Sequence, residues 1–274
     1  MSQKKRVRTK RGPQSAGIAV KKKFGQHFLR DDLVAHEIVS YIDLDDASVF
    51  EIGCGDGALT RIILQSKLAR LWVFEIDPEW ANYVQNRFHD PRMQVFTDDI
   101  LDIGFSCLSE HAPWVLLSNL PYQITFPLLY KLQKNRQYLR EGVIMVQEEV
   151  AQKIVTTHGR PYGFNSLFFQ HYFEWKLLQK VPPSAFYPPP KVFSRLLYFK
   201  PKKELTVIPE EKKFWKFIKG CFKQPRRTLK NNLQQYHADI NRIPDEILAL
   251  RAQQLSMDKL LEVWEMVRTG SDVS

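Results

Sequence analysis

The stretch Ser48-Val49-Phe50-Glu51-Ile52-Gly53-Cys54-Gly55-Asp56-Gly57 decides the fold. Its first five residues read as a strand, its glycines as a tight turn, and Ala58, Leu59, Ile62 and Ile63 as the start of a helix. Strand, glycine turn and helix form the first half of a nucleotide-binding βαβ unit, because glycines let the backbone approach a ligand closely. A glycine turn alone is weak evidence. The second half follows on schedule: Leu71-Trp72-Val73-Phe74 is an apolar run ending in Glu75, twenty residues past Gly55, where an acid can take both ribose hydroxyls. The spacing is Gly-x-Gly-x-Gly, and no lysine with serine or threonine follows as in a P-loop, so the expected ligand lacks a pyrophosphate. A third run, Gln94-Val95-Phe96-Thr97, ends at Asp98-Asp99. There an aspartate serves either as acceptor for the amine of a bound adenosine or as an ordinary turn or helix cap.

A second apolar run, Trp114-Val115-Leu116-Leu117, breaks at Ser118-Asn119-Leu120-Pro121-Tyr122. It reads as a buried strand ending in a tight turn, and in an open α/β sheet ligands bind at that end of the strands. The turn offers an amide side chain, backbone carbonyls beside a proline that has no N–H, and an aromatic face. Carbonyls accept an exocyclic amine's hydrogens while a flat heterocycle stacks on tyrosine, which suits adenine. Taken alone, the same residues also read as a plain strand-to-loop turn capped by Asn119.

With 274 residues, 44% of them hydrophobic, the chain can bury one large core and a smaller second domain. No apolar stretch reaches the length of a membrane span, so a soluble, cytoplasmic protein is expected. Cys54, Cys107 and Cys221 are too few and too scattered for a disulfide framework or a zinc site, which points to a reducing compartment and to no metal. The net charge of +10 lies at the two ends: residues 1–23 carry nine bases and no acid, and residues 201–274 carry fourteen bases against ten acids, leaving the middle at −3. Such a layout suits a polyanion gripped around a site that holds something other than phosphate. The first dozen residues read equally as a solvated tail. They have no apolar h-region and so are not a secretory signal, which leaves an organellar address open.

Lys21 to Leu29 runs from lysines through Phe24, Gly25, Gln26, His27 and Phe28, and Asp31 and Asp32 then open a helix. Lysines beside phenylalanines can meet phosphate and base together. Glu148 and Glu149 resemble paired catalytic carboxylates, yet acids in a first helical turn are accounted for by the helix dipole. Leu167-Phe168-Phe169 and Phe193 to Tyr198 read as closing strands, joined through the stiff loop Pro188-Pro189-Pro190. Phe186 beside that loop serves either as a second face for a base stacked on Tyr122 or as a core anchor. Beyond Pro201 the pattern becomes helical, with Pro244 at a helix start and Ser256 as a cap. Residues 212–230 hold eight bases and no acid, interleaved with Phe214, Trp215, Phe217, Ile218 and Phe222, which at helical spacing read as core.

Glu-x-Gly-x-Gly-x-Gly from Glu51, Glu75, Asp99 and Asn119-Leu120-Pro121-Tyr122, in this order, resemble the class I S-adenosylmethionine-dependent methyltransferases. The Asn-Leu-Pro-Tyr form is similar to the branch that dimethylates adenosine in ribosomal RNA. Phe24-Gly-Gln-His-Phe-Leu29 and Phe186-Tyr-Pro-Pro-Pro-Lys-Val-Phe-Ser194 resemble the same branch, and Gln224 to Leu233 resembles the C-terminal part of its small-subunit enzymes. The resemblance implies an α/β fold, a Rossmann-like seven-stranded sheet followed by a small all-helical domain. It further implies a basic N-terminal extension over 1–23, the methyltransferase domain over 24–200 and a helical RNA-binding domain over 201–274.

S-adenosyl-L-methionine is the implied cofactor, contacted by His27, Leu29, Gly53, Gly55, Glu75, Ile76, Asp99, Ile100 and Asn119. Asparagine is the commoner residue of that family where His27 stands. Asn119, Leu120, Pro121, Tyr122 and Phe186 are the implied catalytic group. The implied reaction is dimethylation of the exocyclic amine of two adjacent adenosines near the 3' end of small-subunit rRNA, within a ribosomal precursor, by a monomer active in ribosome biogenesis. Two alternatives stand beside it: a large-subunit rRNA adenine methyltransferase of the antibiotic-resistance type, and a non-catalytic assembly factor that binds pre-ribosomal RNA through its basic ends.

Overall fold

The structure is a computed structural model that describes residues 14–21, 25–235 and 240–268. Seven strands form one sheet: β1 (Ser48–Ile52), β2 (Arg70–Phe74), β3 (Met93–Phe96), β4 (Trp114–Asn119), β5 (Leu139–Gln147), β6 (Phe173–Val181) and β7 (Ser194–Pro201). Their spatial order is β3-β2-β1-β4-β5-β7-β6. The first five are parallel, and β7 runs antiparallel to both β5 and β6. This is the α/β sheet that the sequence predicts. The chain winds outward from β1 to β3 and returns to place β4 on the other side of β1, so the strand order reverses between them.

Side chains alternate between the two faces of the sheet. Val49, Leu71, Val115, Leu117 and Val143 pack beneath α1 (Asp32–Ser40) and α2 (Ala58–Ile63), whereas Phe50, Leu116 and Ile144 turn to the opposite core. Asp31 caps α1 by accepting from the Leu33 amide at 3.0 Å, as its position before the apolar face predicts. The connections after β2, β4 and β5 run through α3 (Pro78–Arg87), α4 (Thr125–Lys134) and α5 (Glu148–Val155). Glu148 accepts two bonds from Arg195 on β7, at 2.7 and 2.9 Å, and Glu149 pairs with Lys153. Both carboxylates are therefore engaged in holding α5.

Leu167-Phe168-Phe169 is not a strand. It lies within α6 (Phe164–Tyr172), and the strand falls just after it, at β6. A short apolar run fits either period, and what decides is the four-residue repeat Phe164, Phe168, Tyr172. These rings meet at 5.4 and 5.0 Å along one helix face, and Trp215 stands 5.0 Å from Phe168. The cluster continues through α7 (Glu211–Cys221), α8 (Leu229–Gln235), α9 (Asp245–Ala249) and α10 (Met257–Arg268), with Phe217 and Trp264 at 5.4 Å. From Glu211 onward every element among the described residues is helical.

Gly142 in β5 is fixed by its neighbours. A Cβ there would stand 2.5 Å from the Phe199 ring and 2.7 Å from the Leu116 carbonyl oxygen, and a backbone carbonyl of an adjacent strand cannot turn aside. Gly142→Ala is expected to lower stability by about 1–3 kcal/mol, the scale of overpacking a dense core. Denaturant unfolding measures this, and a change within about 0.5 kcal/mol, the range of a neutral surface substitution, would contradict the tight packing.

Candidate active site

The reversal of strand order leaves a crevice at the carboxyl ends of β1 and β4, and two turns meet there. Gly53 leaves β1 with φ +73° and donates to the Phe74 carbonyl at 2.8 Å, and Gly55 follows at φ +53°. A Cβ on Gly53 would lie 3.2 Å from Pro121 Cδ, and one on Gly55 2.9 Å from the Phe28 ring. Glycine is thus required twice over, by the left-handed backbone and by close approach. These residues line a cavity of about 340 Å³ between the glycine loop, the Asn119 turn and the segment 25–29.

The acids of this cavity set its electrostatics. Glu51, Asp56, Glu75, Asp98 and Asp99 line it, and among the described residues no lysine or arginine does. Glu75, only 6% exposed, accepts from the Gly55 amide at 3.2 Å and the Asp77 amide at 2.9 Å. Burial raises its pKa, while those two amide bonds oppose the rise. Asp99 accepts from the Leu101 amide at 2.8 Å. Asp56 is neutralised by Arg30 at 2.5 Å and accepts from Ser15 at 2.8 Å, which draws the N-terminal residues against the loop. Lys21 likewise pairs with Asp77 and Glu79 at 2.7 and 3.0 Å. Most of the basic stretch 1–23 lies outside the described residues. An acid-lined glycine cradle suits a nucleoside carrying positive charge and repels phosphate. S-adenosylmethionine, a sulfonium with an ammonium group, fits that donor set.

At the end of β4, Asn119 donates its amide to the His27 carbonyl at 3.2 Å. The His27 ring is held at Nδ1 by the Pro188 carbonyl at 2.7 Å, so Nδ1 carries the hydrogen. The Tyr122 ring lies 5.8 Å from that of His27, and its hydroxyl shares a 2.7 Å bond with Ser194, which is fully buried. Every residue expected to touch cofactor or amine lines the cavity, with one exception. Phe186 is 4% exposed and sits in the core with Leu29, paired to it in a two-residue antiparallel ribbon. The second face expected for a base on Tyr122 is therefore absent from the cavity wall. Phe186 precedes the stiff proline loop, and its strand pairing turns the ring inward. The sequence reading missed Ser194 and the His27–Pro188 link. No local signal marks either, because both partners are far apart along the chain.

Glu51 is 1% exposed and accepts a 2.6 Å bond from Thr60. Burial pushes its pKa to about 8; the Thr60 bond opposes this and the charge of Glu75 adds to it. Because the folded-state value lies above the unfolded one, the proton on Glu51 contributes stability that is fully present below about pH 4.5 and lost as pH rises through about 8. Within that window the loss is about 1.4 kcal/mol per pH unit. Glu51→Gln keeps the acceptor for Thr60 and removes the proton, so its unfolding midpoint is expected to fall less steeply than wild type between pH 5 and 8. Parallel curves would show that Glu51 ionises normally.

Comparison with known proteins gives the family and the fold. The family model described as ribosomal RNA adenine dimethylase matches residues 17–266. A ribosomal RNA small subunit methyltransferase A of Chlorobium phaeobacteroides is 36% identical over 253 residues, covering 92% of each chain. One of the same name from Syntrophotalea carbinolica is 37% identical over 216 residues, covering 78% of this chain and 81% of the relative. Among solved structures, a dimethyladenosine transferase from Plasmodium falciparum matches with TM-score 0.74 at 22% identity, over 89% of this chain and 98% of that one. The 23S rRNA methyltransferase ErmE matches with TM-score 0.69 at 20% identity, over 88% and 99%. At those identities the two structures establish a shared fold. The length and identity of the sequence matches go further, and the chain belongs to the ribosomal RNA adenine dimethylase family.

Proposed function

We propose that this protein dimethylates the exocyclic amine of two adjacent adenosines near the 3' end of small-subunit rRNA, with S-adenosylmethionine as methyl donor. The observation that carries this reading is the meeting, in one cavity, of an acid-lined glycine cradle with the Asn119-Leu120-Pro121-Tyr122 turn. The fold is that of the class I methyltransferases, and the chain is an rRNA-modifying enzyme by family. No helix among the described residues is long and apolar enough to cross a membrane. We further place its action in the cytoplasm, as a monomer, on a ribosomal precursor.

S-adenosylmethionine, when bound, supplies a methyl group on a positively charged sulfur. Gly53 and Gly55 would lie along it, Glu75 would hold the ribose hydroxyls, and Asp99 with Ile100 and Ile76 would border the adenine. The exocyclic nitrogen of the target adenine is a poor nucleophile, because its lone pair is delocalised into the ring. Asn119 Nδ2 is committed to the His27 carbonyl, which leaves Oδ1 to accept one amine hydrogen. The Pro121 carbonyl already accepts from Ile124 at 3.1 Å, so the Leu120 carbonyl is favoured for the second. Two such acceptors favour a pyramidal nitrogen and localise its lone pair towards the methyl. Tyr122 offers a ring whose position Ser194 fixes, and positioning of this kind supplies much of the remaining acceleration. Phe186 acts behind the wall, by holding Leu29 in place.

Residues 24–200 carry this chemistry and 201–274 grip RNA. Lys216, Lys223, Arg226, Arg227 and Lys230 are exposed, while Phe214, Trp215, Phe217 and Ile218 between them are buried. A basic face on an aromatic core suits phosphate contacts.

Transfer of labelled methyl from S-adenosylmethionine to rRNA tests the roles. Asn119→Ala is expected to lose about 2.7–4 kcal/mol of transition-state stabilisation while RNA still binds. Glu75→Ala is expected to weaken cofactor binding by about 1.5–3 kcal/mol with RNA affinity unchanged. Calorimetry that finds cofactor affinity intact in Glu75→Ala removes that residue from the ribose role. Neutralising Arg226, Arg227 and Lys230 together should flatten the salt dependence of RNA binding by roughly one unit of slope for each phosphate left without its cation. An unchanged slope would place the RNA path elsewhere.

A further inference from the structure

Three exposed apolar side chains, Tyr187, Val192 and Phe193, cluster in the loop that carries Pro188 to Pro190. That loop ends at Ser194, whose hydroxyl holds Tyr122 at 2.7 Å. Phe193, 46% exposed, is the most exposed phenylalanine, tyrosine or tryptophan ring among the described residues. It does not belong to the cavity wall, yet its position is rigid: its carbonyl accepts from the Glu148 amide at 3.0 Å, directly before β7 begins. The Lys180 ammonium of β6 stands 4.4 Å from its ring centroid. Lys180 pairs in the sheet with Arg195, whose guanidinium is taken by Glu148. Lys180 lies near enough to Glu148 for its charge to help hold that carboxyl below the usual range, while the Glu148 oxygens are taken by Arg195.

An exposed ring with a cation beside it, on a fixed backbone, presents a nucleic-acid strand with a stacking face and a phosphate partner together. The target base itself must reach Asn119 inside the cavity at the carboxyl ends of the parallel strands, and Phe193 stands at that same end of the sheet, its carbonyl bonded to the Glu148 amide just past the end of β5. We infer that Phe193 is the stacking platform for the nucleotide adjacent to the target adenosine, with Lys180 meeting the phosphate of that nucleotide. The inference rests on the reading of the cavity as an rRNA adenine site. It gives that site a second base subsite, one that accounts for recognition of neighbouring bases without a second ring in the wall.

The test compares Phe193→Ala, Phe193→Leu and Phe193→Tyr in steady-state methylation of under-methylated small ribosomal subunits. Phe193→Ala should raise KM for the subunits about 5- to 100-fold, the scale of one stacked base. The dissociation constant for S-adenosylmethionine and the melting temperature should stay at wild-type values. Phe193→Leu, which keeps apolar area and lacks a ring, should match the alanine variant, and Phe193→Tyr should stay within about twofold of wild type. An unchanged KM in Phe193→Ala, or a leucine variant that behaves as wild type, overturns the inference while the methyltransferase reading stands. A wild-type protein that methylates no adenosine in these subunits overturns both.

Discussion

Parallel pairing of β1 with β4, with Ser48 to Glu51 registered on Trp114 to Leu117, is the constraint on which the rest of the site depends. It sets the glycine loop and the Asn119 turn side by side, close enough that Pro121 occupies the space a side chain on Gly53 would need. A one-residue slip in that register would turn every side chain of a strand to the other face and part the two turns. The sheet thus holds side by side the two turns to which we assign the cofactor cradle and the orientation of the amine. Phe28 and His27 close the arrangement, one filling the space above Gly55 and the other receiving the Asn119 amide.

Charge is divided to match this geometry. The cavity is lined by carboxylates, and the bases sit outside it on α7, on the turn after it and on the edge strands. Such a division would draw in a cationic donor and keep phosphate outside, as the proposed reaction requires. Burial tempers the division, because it raises the pKa of both Glu51 and Glu75 and keeps the inner wall less charged than its composition implies.

Much of this was legible in the sequence because chemistry at strand ends is carried by short contiguous patterns. The glycine loop, Glu75, Asp99 and the Asn119 turn each announce a local backbone event, and each lines the cavity. What the sequence left hidden depends on contacts between distant segments. The helical α6 shows only over the longer repeat Phe164, Phe168, Tyr172, whose face packs on the distant Trp215, and the three-residue run Leu167 to Phe169 is too short to carry that period. Phe186 faces the core because of its pairing with Leu29, across more than 150 residues of chain. The Tyr122 to Ser194 bond and the His27 to Pro188 bond likewise join positions 72 and 161 residues apart. Motif spacing therefore brought the motif residues to one cavity and left the contacts that support them unmarked.

In the function we propose, one cavity delivers two methyl groups to the amine of each of two neighbouring small-subunit adenosines. The most direct measurement is mass spectrometry of nuclease fragments from small and large ribosomal subunits, under-methylated at the outset, after incubation with the protein and S-adenosylmethionine. Adjacent dimethyladenosines are expected in a fragment near the 3' end of the small-subunit rRNA and none in the large-subunit rRNA. Methylation confined to the large subunit, or no methyladenosine in either, would contradict that function.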